Sequence, residues 1–245
     1  MSHLDIPGFV PEWSLPSNIK CFVTSRDLYL SRLSKVSFDL SEKSDHKKNT
    51  DNLHILRSGL LIKKPITRLN QTHSNKVINT KDSYDNVNAD GIFSFNPQSV
   101  CIILTADCIP VLCYSEYGGM VAAIHCGWKG LVGGVIEQFM EEVKIDSQKL
   151  HFWLGPSICK ECYEIKEDFI AELRKNDIDT RSLINHNLGR MYMDLKQLCQ
   201  DIIVSFDVGS VVASQLCTIC NNDQFFSYRK EKTSKRFASM IWIDH

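Results

Sequence analysis

Apolar residues gather into short blocks separated by turn-forming residues. Val100–Thr105 and Val111–Tyr114 are nearly unbroken apolar runs rich in β-formers, interrupted by Ala106–Pro110. Met120–His125 is a third run, closed by Gly127. Runs of this length between Gly and Pro predict buried strands, and Pro110 holds its predecessor extended. Leu150–Leu154 predicts another strand, ended by Gly155-Pro156. Val211–Ala213, Phe225–Tyr228 and Phe237–Ile243 are read as the last strands. Helical spacing begins at Leu131, with Val132, Val135, Ile136, Phe139, Met140 and Val143 on one stripe. Ile165–Lys175 and Asp194–Phe206 predict two more amphipathic helices, the second carrying Leu195, Leu198, Ile202 and Phe206 on one face. Residues 1–66 lack such a pattern and read as irregular and polar, with Ser41–Asp51 as an exposed charged loop. The interleaving of strands and helices predicts a mixed α/β or α+β single domain.

Composition narrows the class of protein. The 245 residues are 43% hydrophobic and 23% charged, enough for a sizeable core. The net charge of −1 offers no basic excess to a phosphate backbone, which argues against a nucleic-acid partner. No apolar run approaches the roughly 20 residues that span a bilayer. The opening MSHLDIPGFVPEW has an Asp and two prolines where a signal peptide needs an apolar core. A soluble, cytoplasmic protein without membrane association is therefore expected. In that compartment the ten cysteines are expected as thiols, with Cys101, Cys113 and Cys199 filling apolar runs.

Three segments carry candidate chemistry. Gln71-Thr72-His73 follows Leu69 in a polar stretch, Thr105-Ala106-Asp107-Cys108 occupies the break between two strands, and His125-Cys126-Gly127-Trp128 sits where a strand turns toward a helix. One hairpin could bring Cys108 beside His125. Two histidines and a cysteine form a sensible zinc set, because three protein ligands leave a fourth position for water and lower its pKa toward about 7. The spacing, 35 residues from His73 to Cys108 and 17 more to His125, matches no short zinc motif, so core packing and ordinary polar satisfaction stay open.

The segments QTHSNKV, ADGIFS, TADCIPVLCY, AAIHCGWKGL, WLGPSI with YEI, LCT, and FFSYRKEKTSKRFASMIWI occur in the order found in the YfiH-like family. The chain resembles that family from about Cys21 to Ile243. Its members are known as laccase-domain or polyphenol oxidase proteins and as purine nucleoside phosphorylases. The resemblance implies an α+β fold, a single-domain mixed β-sheet sandwich flanked by helices over residues 1–245, with an irregular N-terminal segment of about 1–20. It places His73, Cys108 and His125 on the zinc ligands, with copper a lesser alternative. It implies phosphorolysis of adenosine, inosine and methylthioadenosine, with nucleoside and phosphate as small-molecule partners, and deamination of adenosine.

Departures from the family pattern fall near the N-terminus, where Ser25-Arg26 is followed by Asp27-Leu28-Tyr29 in place of a glycine pair, and at Gln71-Thr72-His73-Ser74, Gly127-Trp128-Lys129-Gly130 and Ser234-Lys235-Arg236. Arg26, Arg229 and Arg236 are candidates for phosphate or ribose contacts, since a guanidinium fork matches phosphate oxygens; structural ion pairs are the competing reading. Asp107 is a candidate base or orienting carboxylate, or else a turn cap. Asp90 reads first as a turn residue, and Trp128, Tyr163 and Glu164 as packing.

Cys159-x-x-Cys162 and Cys217-x-x-Cys220 suggest a second metal site, but 55 positions separate the pairs against the usual 15–20 or so, and unpaired thiols are expected. Two rival activities remain: a cysteine hydrolase with a Cys108–His125 dyad, and a copper polyphenol oxidoreductase. The latter is disfavoured by eight histidines with no HxH pair.

Overall fold

The computed structural model describes residues 6–31, 34–41, 46–82, 87–176 and 178–244. Its central strands read as unbroken apolar runs because both faces of each are covered. In Val121–Cys126, Val121 and Ala123 enter a core shared with Ile103, Trp153 and Phe237. Ala122, Ile124 and Cys126 enter a different one with Phe139, Leu198 and Ile203. The period of two expected of a strand is present, but neither face is polar.

The first core fills the space between two sheets. One runs in the spatial order Gly8–Phe9, Ile19–Thr24, Phe237–Ile243, Val100–Thr105, Ile66–Thr67; the other runs Ser210–Ala213, Leu150–Leu154, Ile109–Ser115, Val121–Cys126, Gly91–Ser94, Val77–Asn79. Central pairings are antiparallel, while Ile66–Thr67, Ser210–Ala213 and Val77–Asn79 join in parallel. Helices Val135–Val143 and Leu195–Val204 cover the outer face of the six-stranded sheet. Helix His46–Gly59 contributes Leu56 to the cover over Phe22, Ile102, Met240 and Trp242 of the other. A mixed β-sheet sandwich flanked by helices results, as the resemblance implies.

Four segments depart from expectation. Ile19–Thr24 is a strand wedged between Gly8–Phe9 and the C-terminal strand, five of its six residues buried. The described part of Ser41–Asp51 from His46 onward is helical, running into Gly59. Its apolar contacts come late, at Leu53, Ile55 and Leu56, so the charged first turns conceal the period. Residues 42–45 lie outside the described residues. Phe225–Tyr228 is not a strand: Phe225 and Phe226 are core residues at a turn, and Ser227 caps a short helix, Tyr228–Glu231. That turn aims the Arg229 amide at the site below. The helix expected from Leu131 divides at Gly133-Gly134 into Trp128–Val132 and Val135–Val143, Gly134 supplying a left-handed N-cap.

Candidate metal centre and its cavity

The hairpin Ile109–Ser115/Val121–Cys126 builds half of the site. Its register sets Ile109 against Cys126 and Pro110 against His125, so Cys108 emerges beside Gly127 at the open end. His125 continues the Val121/Ala123 face and is buried at the end of the inter-sheet core. His73 arrives on a separate turn with φ of 60°, a left-handed conformation that a non-glycine residue holds only under constraint. Gln71 supplies one constraint: its amide accepts the Leu104 N–H and donates to the Leu104 carbonyl, both at 2.8 Å, locking the turn to the end of Val100–Thr105.

Asp90 supplies the rest. Fully buried, its Oδ1 accepts the His73 amide at 3.0 Å and pairs with His125 Nδ1 at 2.7 Å. Its Oδ2 accepts Thr72 N–H, Ser74 N–H and the Ser74 hydroxyl at 3.2, 2.6 and 2.7 Å. Burial alone would raise the carboxyl pKa, but the His125 ring and the Ser74 donors hold it below its ordinary value. The sequence around Asp90 reads first as a turn, yet its carboxylate orients both histidines of the cluster. A carboxylate behind a histidine is the usual device for fixing the tautomer that turns the other ring nitrogen toward a metal.

With Nδ1 committed, His125 has Nε2 left for the site. His73 Nε2 lies 3.9 Å from Cys108 Sγ, the two imidazole rings meet edge-on at 4.8 Å, and one donor atom from each of the three residues falls within 4.8 Å of the others. Zinc–sulfur and zinc–nitrogen bonds of about 2.3 and 2.0 Å at tetrahedral angles require an S···N separation of about 3.5 Å, and the Cys108–His73 pair, at 3.9 Å, is close to it. Without a metal, the charge in the cluster is a thiolate facing an imidazolium whose proton a bound cation would displace. Burial pushes the Cys108 thiol up, but His125 and His73 outweigh it and bring the pKa down to about 6. Burial pushes His125 down, and the Cys108 charge with the Asp90 hydrogen bond takes it up to about 9. The thiolate is therefore the resting form at neutral pH.

Gly127 leaves room for this arrangement. A Cβ there would sit 2.9 Å from His73 Cδ2 and 3.1 Å from Cys108 Sγ. Gly127→Ala is expected to weaken metal affinity about tenfold or more, as loss of an orienting partner does. The metal-free protein should keep its melting temperature within a few degrees. A chelator-competition titration beside a thermal melt checks both.

The cluster opens into a cavity of about 630 Å³ whose wall includes Gln71, Asp107, Trp128, Tyr163, Arg229 and Arg236. Arg229 reaches it from the Tyr228–Glu231 helix, one guanidinium nitrogen donating to the Glu164 carbonyl at 2.7 Å and the group lying 5.1 Å from the Tyr163 ring centre. Arg236 donates through one nitrogen to the Thr233 and Lys235 carbonyls. Asp107, at φ 92°, accepts the Thr218 hydroxyl and the Arg229 amide, both at 2.6 Å, one on each oxygen. These partners make it a brace between three loops. Arg26 is not brought to the cavity: it donates to the Asn222 carbonyl at 2.5 Å, pairs with Glu231 at 3.0 Å and covers the Phe226 ring. The structural ion pair, one of the two readings open for Arg26, is what the fold uses. Trp128 packs edge-on against Phe169 while still reaching the cavity. Tyr228, more than half exposed, also joins the wall; the sequence marks it only as part of a family motif and a predicted strand.

A mixed-sheet sandwich whose two central hairpin strands and one locked turn present two imidazoles and a thiolate to a cavity defines a protein suited to hold a metal. The chain belongs to the multi-copper polyphenol oxidoreductase laccase family, whose model matches residues 20–244. It is 32% identical over 244 residues to the purine nucleoside phosphorylase YfiH of Escherichia coli K12, covering 96% of this chain and 98% of that one. A purine nucleoside phosphorylase of Haemophilus influenzae is 30% identical over 240 residues, with the same shares covered. Among solved structures, Neisseria meningitidis protein NMB0706 superposes with a TM-score of 0.88 at 29% identity, covering 97% of this chain and 99% of that one. The family reading made from the motifs thus holds. No helix among the described residues is long and apolar enough to cross a membrane.

Proposed function

We propose that this chain is a zinc-dependent purine nucleoside phosphorylase that cleaves adenosine, inosine and methylthioadenosine with phosphate, and that also deaminates adenosine. The observation that carries the reading is convergence: His73, Cys108 and His125 share one cavity with Arg229, Arg236 and aromatic walls. The volume lies within the range of about 300–1,000 Å³ typical of small-ligand sites. The names of the full-length relatives support the same chemistry.

In phosphorolysis the bond from ribose C1′ to the purine nitrogen breaks, a phosphate oxygen bonds to C1′, and the departing base takes a proton. Arg229 and Arg236 hold and orient the phosphate, while Tyr163, Trp128 and Tyr228 offer ring faces to base and sugar. His73, Cys108 and His125 hold the ion, Asp90 fixes their geometry, and Asp107 keeps the Arg229 backbone against the cavity. When bound, the metal supplies a Lewis acid that stabilises developing negative charge and activates water for deamination. Nucleoside and phosphate in the cytoplasm are the proposed partners, with no nucleic acid or membrane involved.

Zinc suits the donor set better than copper. A His₂Cys copper centre of the electron-transfer type adds a weak axial Met or Gln; among the described residues no methionine lines the cavity, and the Gln71 amide is tied to Leu104 on both sides. Neither potential metal cluster among the described residues has more than two histidines, too few imidazoles for a multicopper centre.

The test is product analysis with purified enzyme. Ribose 1-phosphate is expected from adenosine only when phosphate is present, and inosine with or without it. Absence of both at micromolar enzyme would overturn the reading. Arg229→Lys keeps the charge but loses the fork, so the KM for phosphate should rise about tenfold or more with kcat less affected. Initial rates against phosphate concentration decide it.

A further inference from the structure

We propose a second, structural zinc site in this chain, formed by Cys159, Cys162, Cys217 and Cys220. The two CxxC pairs are remote in sequence, yet the fold closes the gap. Ser157 and Cys217 form a parallel bridge, with Ser157 N–H on the Leu216 carbonyl and Thr218 N–H on the Ser157 carbonyl at 3.3 and 3.1 Å. The contrary expectation, unpaired thiols, came from sequence spacing, which the bridge makes irrelevant.

All four Sγ atoms lie within 4.8 Å of one another, and Cys162 and Cys220 are 3.6 Å apart. A tetrahedral ZnS₄ centre with Zn–S bonds of about 2.3 Å has S···S edges of about 3.8 Å, whereas a disulfide brings its sulfurs to about 2.05 Å. The Cys162–Cys220 separation matches such an edge, and all four sulfurs are close enough to converge on one ion.

Both pairs also adopt one loop shape. Tyr163 N–H donates to the Cys159 carbonyl at 3.0 Å, and Asn221 N–H donates to the Cys217 carbonyl at 2.8 Å, so each CxxC wraps a single turn and presents both sulfurs to the same point. The Cys159 amide donates to Cys217 Sγ at 3.4 Å, a bond that favours the thiolate a metal requires. Burial of the thiols as small hydrophobes does not explain the cluster, because only Cys217 is buried and Cys220 is exposed.

The position suggests what the ion would hold. Thr218, beside Cys217, donates its hydroxyl to Asp107, and Ile158, beside Cys159, donates its amide to the Asp107 carbonyl at 2.9 Å. A zinc clamp would thus fix two loops that buttress the residue before Cys108. It takes no part in binding nucleoside or phosphate.

The experiment uses the full chain, expressed with added zinc and purified under reductant without chelator. Elemental analysis is expected to find about two zinc equivalents. Cys162→Ser/Cys220→Ser should lose one and keep the one at His73, Cys108 and His125; His73→Ala/His125→Ala should show the converse. Cobalt-substituted His73→Ala/His125→Ala protein should carry intense thiolate-to-cobalt charge-transfer absorption. If the cysteine variant does not fold, the wild-type protein decides alone. A mercurial thiol reagent should release one zinc in step with modification of these four cysteines, located by peptide mapping. Wild-type protein with one zinc or none, rapid labelling of the four thiols without chelator, or disulfides among them would overturn the proposal.

Discussion

His73→Ala is expected to strip the ion from the cavity and lower phosphorolysis by more than about 100-fold. Losing an orienting partner of a metal ligand commonly costs 10–100-fold, and loss of one of only three protein ligands should exceed that. The same variant separates the two chemistries that the Cys108–His125 pair could serve. The pair has the charge distribution of a cysteine nucleophile, with the thiol at about 6 and the imidazole at about 9 in the absence of metal. A dyad needs only those two residues, so a cysteine hydrolase would survive loss of His73. Alkylation gives a second readout. A thiolate bound to zinc reacts slowly with iodoacetamide until a chelator removes the ion. Peptide-mapped labelling of Cys108 is therefore expected to accelerate with chelator in the wild type and to be fast at once in His73→Ala. Fast labelling of the zinc-loaded wild type, together with an active His73→Ala enzyme, would establish the dyad instead.

Asp90→Asn is expected to weaken metal affinity by 10–100-fold with little change in shape or volume. The native carboxylate accepts at both oxygens, and every partner is a donor: His73 and His125 on one side, Thr72 and Ser74 on the other. An asparagine must turn its NH₂ toward one of these sides. Facing His125, it forces the imidazole to accept at Nδ1 and carry its proton on Nε2, where the metal should bind. Facing Ser74, it sets donor against donor and loosens the turn that holds His73 at positive φ. Either choice leaves buried polar groups opposed, at a cost of about 1–3 kcal/mol. Competition against a calibrated chelator and a thermal melt measure the two effects. Affinity equal to the wild type would remove Asp90 from the site.

The central strands were legible because burial on both faces leaves a continuous apolar signature, as in Val100–Thr105 and Met120–Ile124. Ile19–Thr24 is equally buried, but Lys20 and the polar residues around it mask the run. In His46–Gly59 the charges come first and the apolar contacts last, so the helix looked like a loop. His73, Cys108 and His125 stood out through family motifs; their spacing carried little, because the fold, not a local turn, brings them together. Asp90 was hidden for a physical reason: in Ala89-Asp90-Gly91 a carboxylate that gathers donors from a turn 16 to 18 residues away has the same local sequence as one capping its own turn. Arg26 shows the reverse, a residue type suited to phosphate whose fork is taken by Glu231 and by carbonyls. The two CxxC pairs lie far apart in sequence, and only the bridge between Ser157 and Cys217 brings them together.

The central claim is that the cavity transfers ribose from purine to phosphate. It is tested most directly by supplying adenosine with phosphate labelled by ¹⁸O at all four oxygens and weighing the sugar product. If a phosphate oxygen attacks C1′, ribose 1-phosphate retains all four labels and adenine appears in equal amount, and His73→Ala yields neither above background. Free ribose carrying a solvent oxygen, or dioxygen uptake with a phenolic substrate and no sugar phosphate from adenosine, would contradict the account.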